Sequence, residues 1–256
     1  MQQKHKVIQS LQRAFSIIDC FTEKNQQFTL NEISEKVNLN VNTTRGLIQT
    51  LILFNYISHN ETLNTYRLGC AFLNKAELAK STKNDAIANL IKTDMQKLAD
   101  KYKLSVRLQC IDDFNIYTLQ VSDPITTRYI LSTRINIDLP FYASASGKLL
   151  LYYLKPEIQK EAISNIKWKA YTEYTITNRK DLLNSLSLIK EKGYSEEKEE
   201  LAYGISSIAF PILENDKLIY TLSVTSNSIV LNKNISGTIN ELTKIVKRVS
   251  TYLDNF

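Results

Sequence analysis

The chain has 256 residues, room for two domains at the usual ~100–200 residues each. Hydrophobic residues make up 43% and charged residues 23%, which excludes wholesale disorder, and a net charge of +6 suits a polyanionic partner without specifying one. Three scattered cysteines (Cys20, Cys70 and Cys110) exclude a disulfide framework and a Cys-rich zinc site; with no long apolar run and no signal-like start, a cytoplasmic chain with no membrane partner is expected.

Residues 7–21 carry Val7, Leu11, Phe15, Ile18 and Phe21 at helical spacing, with Ala14 and Ile17 flanking, which predicts a helix burying that stripe. Thr29 stands three residues before Glu32, a capping-box pattern opening a short helix with Ile33 and Val37. A tight turn at 38–40 leads to a third helix over 42–54, with Leu47, Ile48, Leu51 and Ile52 turned inward. Residues 56–58 and 66–68 read as strands around the polar loop 59–65. Helix, helix-turn-helix and hairpin in that order predict a winged helix that binds DNA.

The third helix is expected to present Asn42, Thr43, Thr44, Arg45 and Gln49 opposite its apolar stripe. Arg pairs with guanine, Asn and Gln with adenine, and Thr reaches phosphate or a thymine methyl. Arg67, Lys4 and Lys6 are candidates for backbone contacts, which add salt-dependent affinity.

A helical run over 69–81 is expected to break at Thr82-Lys83-Asn84, before a long helix over 85–102. Strands follow at 105–111, 116–121 and 128–135, then a helix starting near Ser144. A further helix over 181–192 is capped by Asn178 and ended by Gly193. Strands over 205–213 and 218–225 precede a last helix over 237–253. Strands broken by helices without a βαβ repeat indicate an α+β sensor domain. The resulting division is a DNA-binding domain over 1–69, a linker helix over 70–84, and a sensor and oligomerisation domain over 85–256.

No phosphate loop can be assembled from six glycines: Ser146-Gly147-Lys148-Leu149 lacks the upstream glycine and the following Ser or Thr. A Ser-His-Asp arrangement would have to recruit His5 or His59 from the N-terminal quarter. No catalytic residue, metal or cofactor is therefore expected, and binding without turnover is the reading.

Several segments resemble the IclR (isocitrate lyase regulator) family of bacterial transcription factors. Residues 7–14 (VIQSLQRA) are similar to its opening helix, 39–48 to its recognition helix and 66–69 (YRLG) to the end of its wing. Residues 139–148 (LPFYASASGK), Glu199-Glu200 with Gly204, and 208–212 (IAFPI) are similar to motifs of its second domain. The resemblance implies a winged helix-turn-helix, a linker helix and a GAF-like domain that binds a small organic effector, commonly a carboxylate. It also implies homodimers, often paired into tetramers, on pseudo-palindromic double-stranded operators, acting as repressor or activator.

Carried over position by position, it selects Ala145, Ser146, Gly147, Glu197, Ile205, Ser207, Ser223 and Thr225 for the effector. Free amides at a helix start can hold a carboxylate, and hydroxyls from adjoining strands can complete the site. The sequence also departs from the family pattern: Gly46 stands where arginine is usual, Tyr142 replaces a histidine, Ser207 a cysteine and Asn136 a glycine. The alternative reading is a DNA-binding regulator whose sensor domain has lost its ligand and only oligomerises.

Overall fold

The computed structural model describes residues 7–22, 25–79, 82–125, 127 and 140–254. The chain forms two compact units, residues 1–81 and 82–256. In the first, α1 (Gln9–Asp19), α2 (Leu30–Lys36) and α3 (Val41–Leu53) precede an antiparallel hairpin of β1 (Ile57–Asn60) and β2 (Thr65–Leu68), then α4 (Ala71–Ala79). The capping box at Thr29 and Glu32 forms, with both reciprocal bonds in place. Phe28 bridges Tyr66 through both main-chain bonds, adding a third, single-residue strand to the wing. Ile17, Phe21, Phe28, Ile33, Ile48 and Ile57 close the core.

One expectation holds only in part. Of the expected stripe, Phe21 is buried and Ile18 half-buried, but Val7, Leu11 and Phe15 are 64%, 53% and 60% exposed, and the flanking Ile17 is fully buried. Apolar residues run around more than one side of α1, and the side holding Ile17 packs inward. Periodicity identifies a stripe but not what covers it.

The second unit opens on α5 (Thr82–Tyr102). The expected break at Thr82-Lys83-Asn84 is instead its first turn, anchored where Lys83 pairs with Glu214 and Tyr220 Oη donates to Asn84 Oδ1 at 2.7 Å. The strands β3 (Ser105–Asp112), β4 (Asn115–Ser122), β5 (Ser195–Lys198), β6 (Ile205–Glu214) and β7 (Lys217–Asn227) form one antiparallel sheet in the order β4-β3-β7-β6-β5. Helices α6 (Ala145–Tyr153), α7 (Pro156–Ser164), α8 (Arg179–Lys192) and α9 (Ser228–Leu253) complete it. Neither α7 nor β5 was expected, and the strand read over 128–135 lies outside the described residues.

The sheet is covered on both sides. Val106, Leu108, Ile208, Phe210, Leu222 and Val224 pack against α5 and α9 in one apolar core. The opposite side meets α6 and α8 through a second cluster holding Ala145, Leu149, Leu182 and Ala209. Gly237, expected to open the last helix, lies well inside α9, which is capped by Asn227. A Cβ on Gly237 would overlap the Tyr102 ring, 2.9 Å from Cζ. The residue is a point of close helix approach, not a start.

Replacing Gly237 with Leu is expected to force α9 off α5 and cost about 1–3 kcal/mol, the usual range for overpacking. Urea denaturation of the full chain checks this; an unchanged midpoint would mean the Tyr102 ring swings aside freely.

Candidate effector site and DNA-contacting surface

Helix α3 is presented by a short turn. Ser34 Oγ donates to Leu39 O at 2.5 Å, Asn38 takes a left-handed conformation (φ 51°), and Asn40 Oδ1 accepts Thr43 N–H at 2.8 Å as the N-cap. Asn42, Arg45 and Gln49 are exposed on one face, and Arg45 Nη1 donates to Asn42 Oδ1 at 3.3 Å. Arg67 is exposed on β2, opposite Ser58. Thr43 is half-buried. Thr44 corrects the expectation: it is fully buried, its hydroxyl donating to Asn40 O at 3.1 Å, so it caps and packs rather than facing outward. Lys4 and Lys6 lie outside the described residues.

In the second unit, the side of the sheet facing α6 is strongly polar. Two cross-strand rows build it: Ser105, Thr225, Ser207 and Glu197, then Arg107, Ser223, Ala209 and Ser195. Gln109 pairs with Thr221 in a third row. Arg107 and Gln109 are 7% and 8% exposed. Gln109 is a hub: its Oε1 accepts from Ser146 Oγ at 2.7 Å, Thr221 Oγ1 at 3.2 Å and Ser223 Oγ at 3.3 Å. Ser207 and Thr225 share a hydroxyl bond of 3.0 Å.

Helix α6 starts over this floor. Ser144 Oγ accepts Gly147 N–H at 3.2 Å, and Ser195 Oγ donates to Ala145 O at 2.6 Å, pinning the first turn to β5. A side chain at position 147 would meet Phe141 Cα and Ser144 Oγ at 2.5 Å, so only glycine admits this cap. Lys148, fully buried, ion-pairs with Glu200 and donates to Glu196 O at 3.0 Å. Burial pushes the Glu200 carboxyl up while Lys148 pulls it down. Glu200 O accepts Thr175 Oγ1 at 2.5 Å and Glu199 O accepts Thr172 Oγ1 at 2.6 Å.

Glu197 is 2% exposed; its Oε1 accepts Glu200 N–H at 2.7 Å and Leu201 N–H at 3.4 Å. Burial pushes its carboxyl up to about 6, against the pull of Glu200 N–H and the Ser207 hydroxyl.

The residues selected from sequence therefore fall in two hydrogen-bonded groups. Ser146 and Ser223 join around Gln109, and Ser207 and Thr225 join beside Glu197; Ala145 and Gly147 are buried in the α6 start, and Ile205 is half-buried at the end of β6. Sequence reasoning missed Arg107, Gln109 and Thr221. Their signal was present: polar residues alternating with Val106 and Leu108 in β3 and with Leu222 and Val224 in β7. A separate groove of about 410 Å³ between α5 and α9 is lined by Leu98, Ile245 and charges that pair within it, Arg248 with Asp94 and Lys101 with Glu241. Among the described residues no helix is long and apolar enough to cross a membrane, and no group of three His, Cys, Asp or Glu could hold a metal ion.

A winged helix carrying an exposed polar recognition helix, joined to a helix-flanked antiparallel sheet with a buried polar face, describes a DNA-binding regulator. Residues 10–61 match the IclR helix-turn-helix domain, and residues 79–254 match the bacterial transcriptional regulator IclR C-terminal domain. The chain belongs to the IclR family of transcriptional regulators. It is 26% identical over 222 residues to the HTH-type transcriptional regulator XynR of Escherichia coli (strain K12), covering 86% of each chain. The fold matches an IclR transcriptional regulator of Alicyclobacillus acidocaldarius at a TM-score of 0.81, with 22% identity over 97% of this chain and 100% of that one. It also matches an IclR homolog of Microbacterium hydrocarbonoxydans complexed with 4-hydroxybenzoate, at a TM-score of 0.80, with 19% identity over 96% and 100% of the two chains.

A carboxyl raised in the folded state favours the protonated form, so Glu197 costs stability as pH rises from the ordinary carboxylate value through about 6. Glu197→Gln keeps an acceptor for the two amides and removes the charge. It is expected to gain up to about 2 kcal/mol over the parent at about pH 7.5 and little at about pH 4. Urea midpoints at both pH values check this, and an equal difference at both would mean Glu197 does not titrate as described.

Proposed function

We propose that the chain regulates transcription by binding a small organic acid in its second unit and changing the affinity of its first unit for an operator. The division proposed is DNA binding over 1–69, a linker over 70–84 and effector binding over 85–256, in a cytoplasmic protein that acts by binding and not turnover. The observation that carries the reading is the buried polar sheet face under the start of α6. Burying hydroxyls, an amide, a carboxylate and a guanidinium is costly unless they are used, while the opposite face of the same sheet is filled with aliphatic side chains. Helix-start amides, with Ser223 and Thr225 hydroxyls, suit a carboxylate. Glu197 suits a hydroxyl or amine at the other end. The 4-hydroxybenzoate held by the Microbacterium hydrocarbonoxydans protein, which carries both groups, supports that class.

On the DNA side, Asn42, Arg45 and Gln49 are the proposed base-reading residues, with Thr43 and Arg67 at phosphates; the burial of Thr44 leaves it to position the helix. A homo-oligomer on a pseudo-palindromic operator is proposed as well. Val7, Ile8, Leu11 and Phe15 on and before α1, with Leu73 and Leu78 on α4, are all more than half exposed. Several large apolar side chains left exposed on one small unit are consistent with a protein interface.

One observation favours the second reading, a sensor domain without ligand. The hydroxyls of the floor already bond one another and Gln109, so a ligand must exchange those bonds.

Thermal-shift measurements against a panel of small carboxylates, 4-hydroxybenzoate included, separate the two. A shift for at least one acid, lost in Ser207→Phe while DNA binding persists, is expected; no shift for any acid favours the oligomerising role. Arg45→Ala is expected to weaken binding about tenfold, measured by fluorescence anisotropy on a duplex selected from a random library, at two salt concentrations. Unchanged affinity would remove Arg45 from the contact surface.

A further inference from the structure

Gly46 lies at the centre of the exposed face of α3. Asn42 is one turn before it, Gln49 nearly one turn after it, Arg45 is adjacent, and Leu53 ends the stripe; all four are exposed. Nothing within the described fold asks for glycine there. A Cβ would meet no atom within 4 Å, and position 46 is not among the residues of positive φ. Glycine inside a helix is unfavourable relative to alanine, so the residue weakens the element that must be held rigid. The Arg45 guanidinium reaches back to Asn42 at 3.3 Å and Thr50 Oγ1 donates to Gly46 O at 3.1 Å, which leaves the space a Cβ would fill open.

We propose that Gly46 is the point of closest approach between α3 and the major groove. The bare patch lets a base-pair edge come against the helix main chain, and this depth brings Asn42, Arg45 and Gln49 within reach of their bases. Glycine is the residue that allows such approach of backbone to a ligand, and duplex DNA is the occupant because the face belongs to the matched helix-turn-helix. The inference rests on the DNA-binding reading of the same surface. It adds that specificity here is set by a missing side chain as much as by those present.

The test is Gly46→Ala in the full chain. A random-sequence duplex library is first selected with the parent protein, and affinity is then measured on the enriched duplex and on its scrambled counterpart. The variant is expected to melt at the same or a higher temperature, because alanine favours the helix and its methyl meets nothing. It is expected to bind the enriched duplex about tenfold more weakly, with little change on the scrambled one. Binding equal to the parent's overturns the proposal. So does an equal loss on both duplexes, which would place Gly46 against the sugar-phosphate backbone, and so does a lower melting temperature, which would place it in intrachain packing. A parent protein that enriches no sequence at all would instead sink the DNA-binding reading, and this inference with it.

Discussion

The second unit is organised around one buried ion pair. Lys148 and Glu200 are 52 residues apart in sequence, and their contact fixes the first turn of α6 to the segment after β5. Desolvating two charges costs more than their attraction returns unless the remaining donors and acceptors are used. Here Lys148 has a second acceptor in Glu196 O, whereas Glu200 Oε2 is buried with no hydrogen-bond partner among the described residues. A buried pair of this kind is a weak source of stability and a strong source of position. Once it is made, Ala145 can be tied by Ser195, Gly147 by Ser144, and Ser146 set onto Gln109. The helix start is thus tied through Lys148 to the segment after β5, and through Ser146 to the polar floor.

That arrangement bears on how a ligand could act. A floor whose hydroxyls already bond one another is organised before anything binds, and each displaced bond must be replaced or its group is left buried and unpaired. Selectivity follows from the same requirement: a ligand whose polar atoms do not match the floor strands those groups, which costs more than a missing apolar contact. A donor brought by a ligand to Glu197, whose carboxyl burial raises to about 6, would in the proposed function offset part of its desolvation cost. Under the proposed function, the ligand alters DNA affinity only in so far as it binds one arrangement of the protein better than another.

How much of this could be read in the sequence varies by the kind of signal. The capping box at Thr29 and Glu32 and the Asn178 cap of α8 are local chemistry, and both form. The helix-turn-helix and wing followed from period alone. Signals that depend on partners are only partly legible: of the expected stripe Phe21 is buried, but Val7, Leu11 and Phe15 are exposed, and the flanking Ile17 takes the core position. Thr44 looked like its polar neighbours because composition does not show which side of a turn points inward. Gly237 resembles a helix boundary in sequence, but its role is set by Tyr102, far away along the chain. Strand β5, SEEK, is short and wholly polar, so no alternation of polar and apolar residues marks it. The proposed effector residues are reached only through family resemblance, while Arg107 and Gln109, polar residues in a covered strand, are open to a purely physical reading that was passed over.

Charge gives the proposed pairing of chains a physical motive. Across residues 1–81, nine lysines and arginines stand against six aspartates and glutamates, a small positive excess. The exposed face of α3 carries Arg45 as its one cation, and the wing turn at 61–64 contributes Glu61. Phosphate neutralisation supplies most sequence-independent affinity for DNA, so a single unit with this small excess draws only a limited share of it. Linking two units makes the second half-site encounter intramolecular, and affinity then grows with no new contact. The apolar side chains left exposed on α1 and α4 are in the unit where such a link would serve this purpose. A regulator built this way is sensitive to geometry: whatever changes the separation of two weak readers removes the gain from linkage, without altering either reader. A small ligand bound in the second unit could work through that separation, with no change in α3 itself.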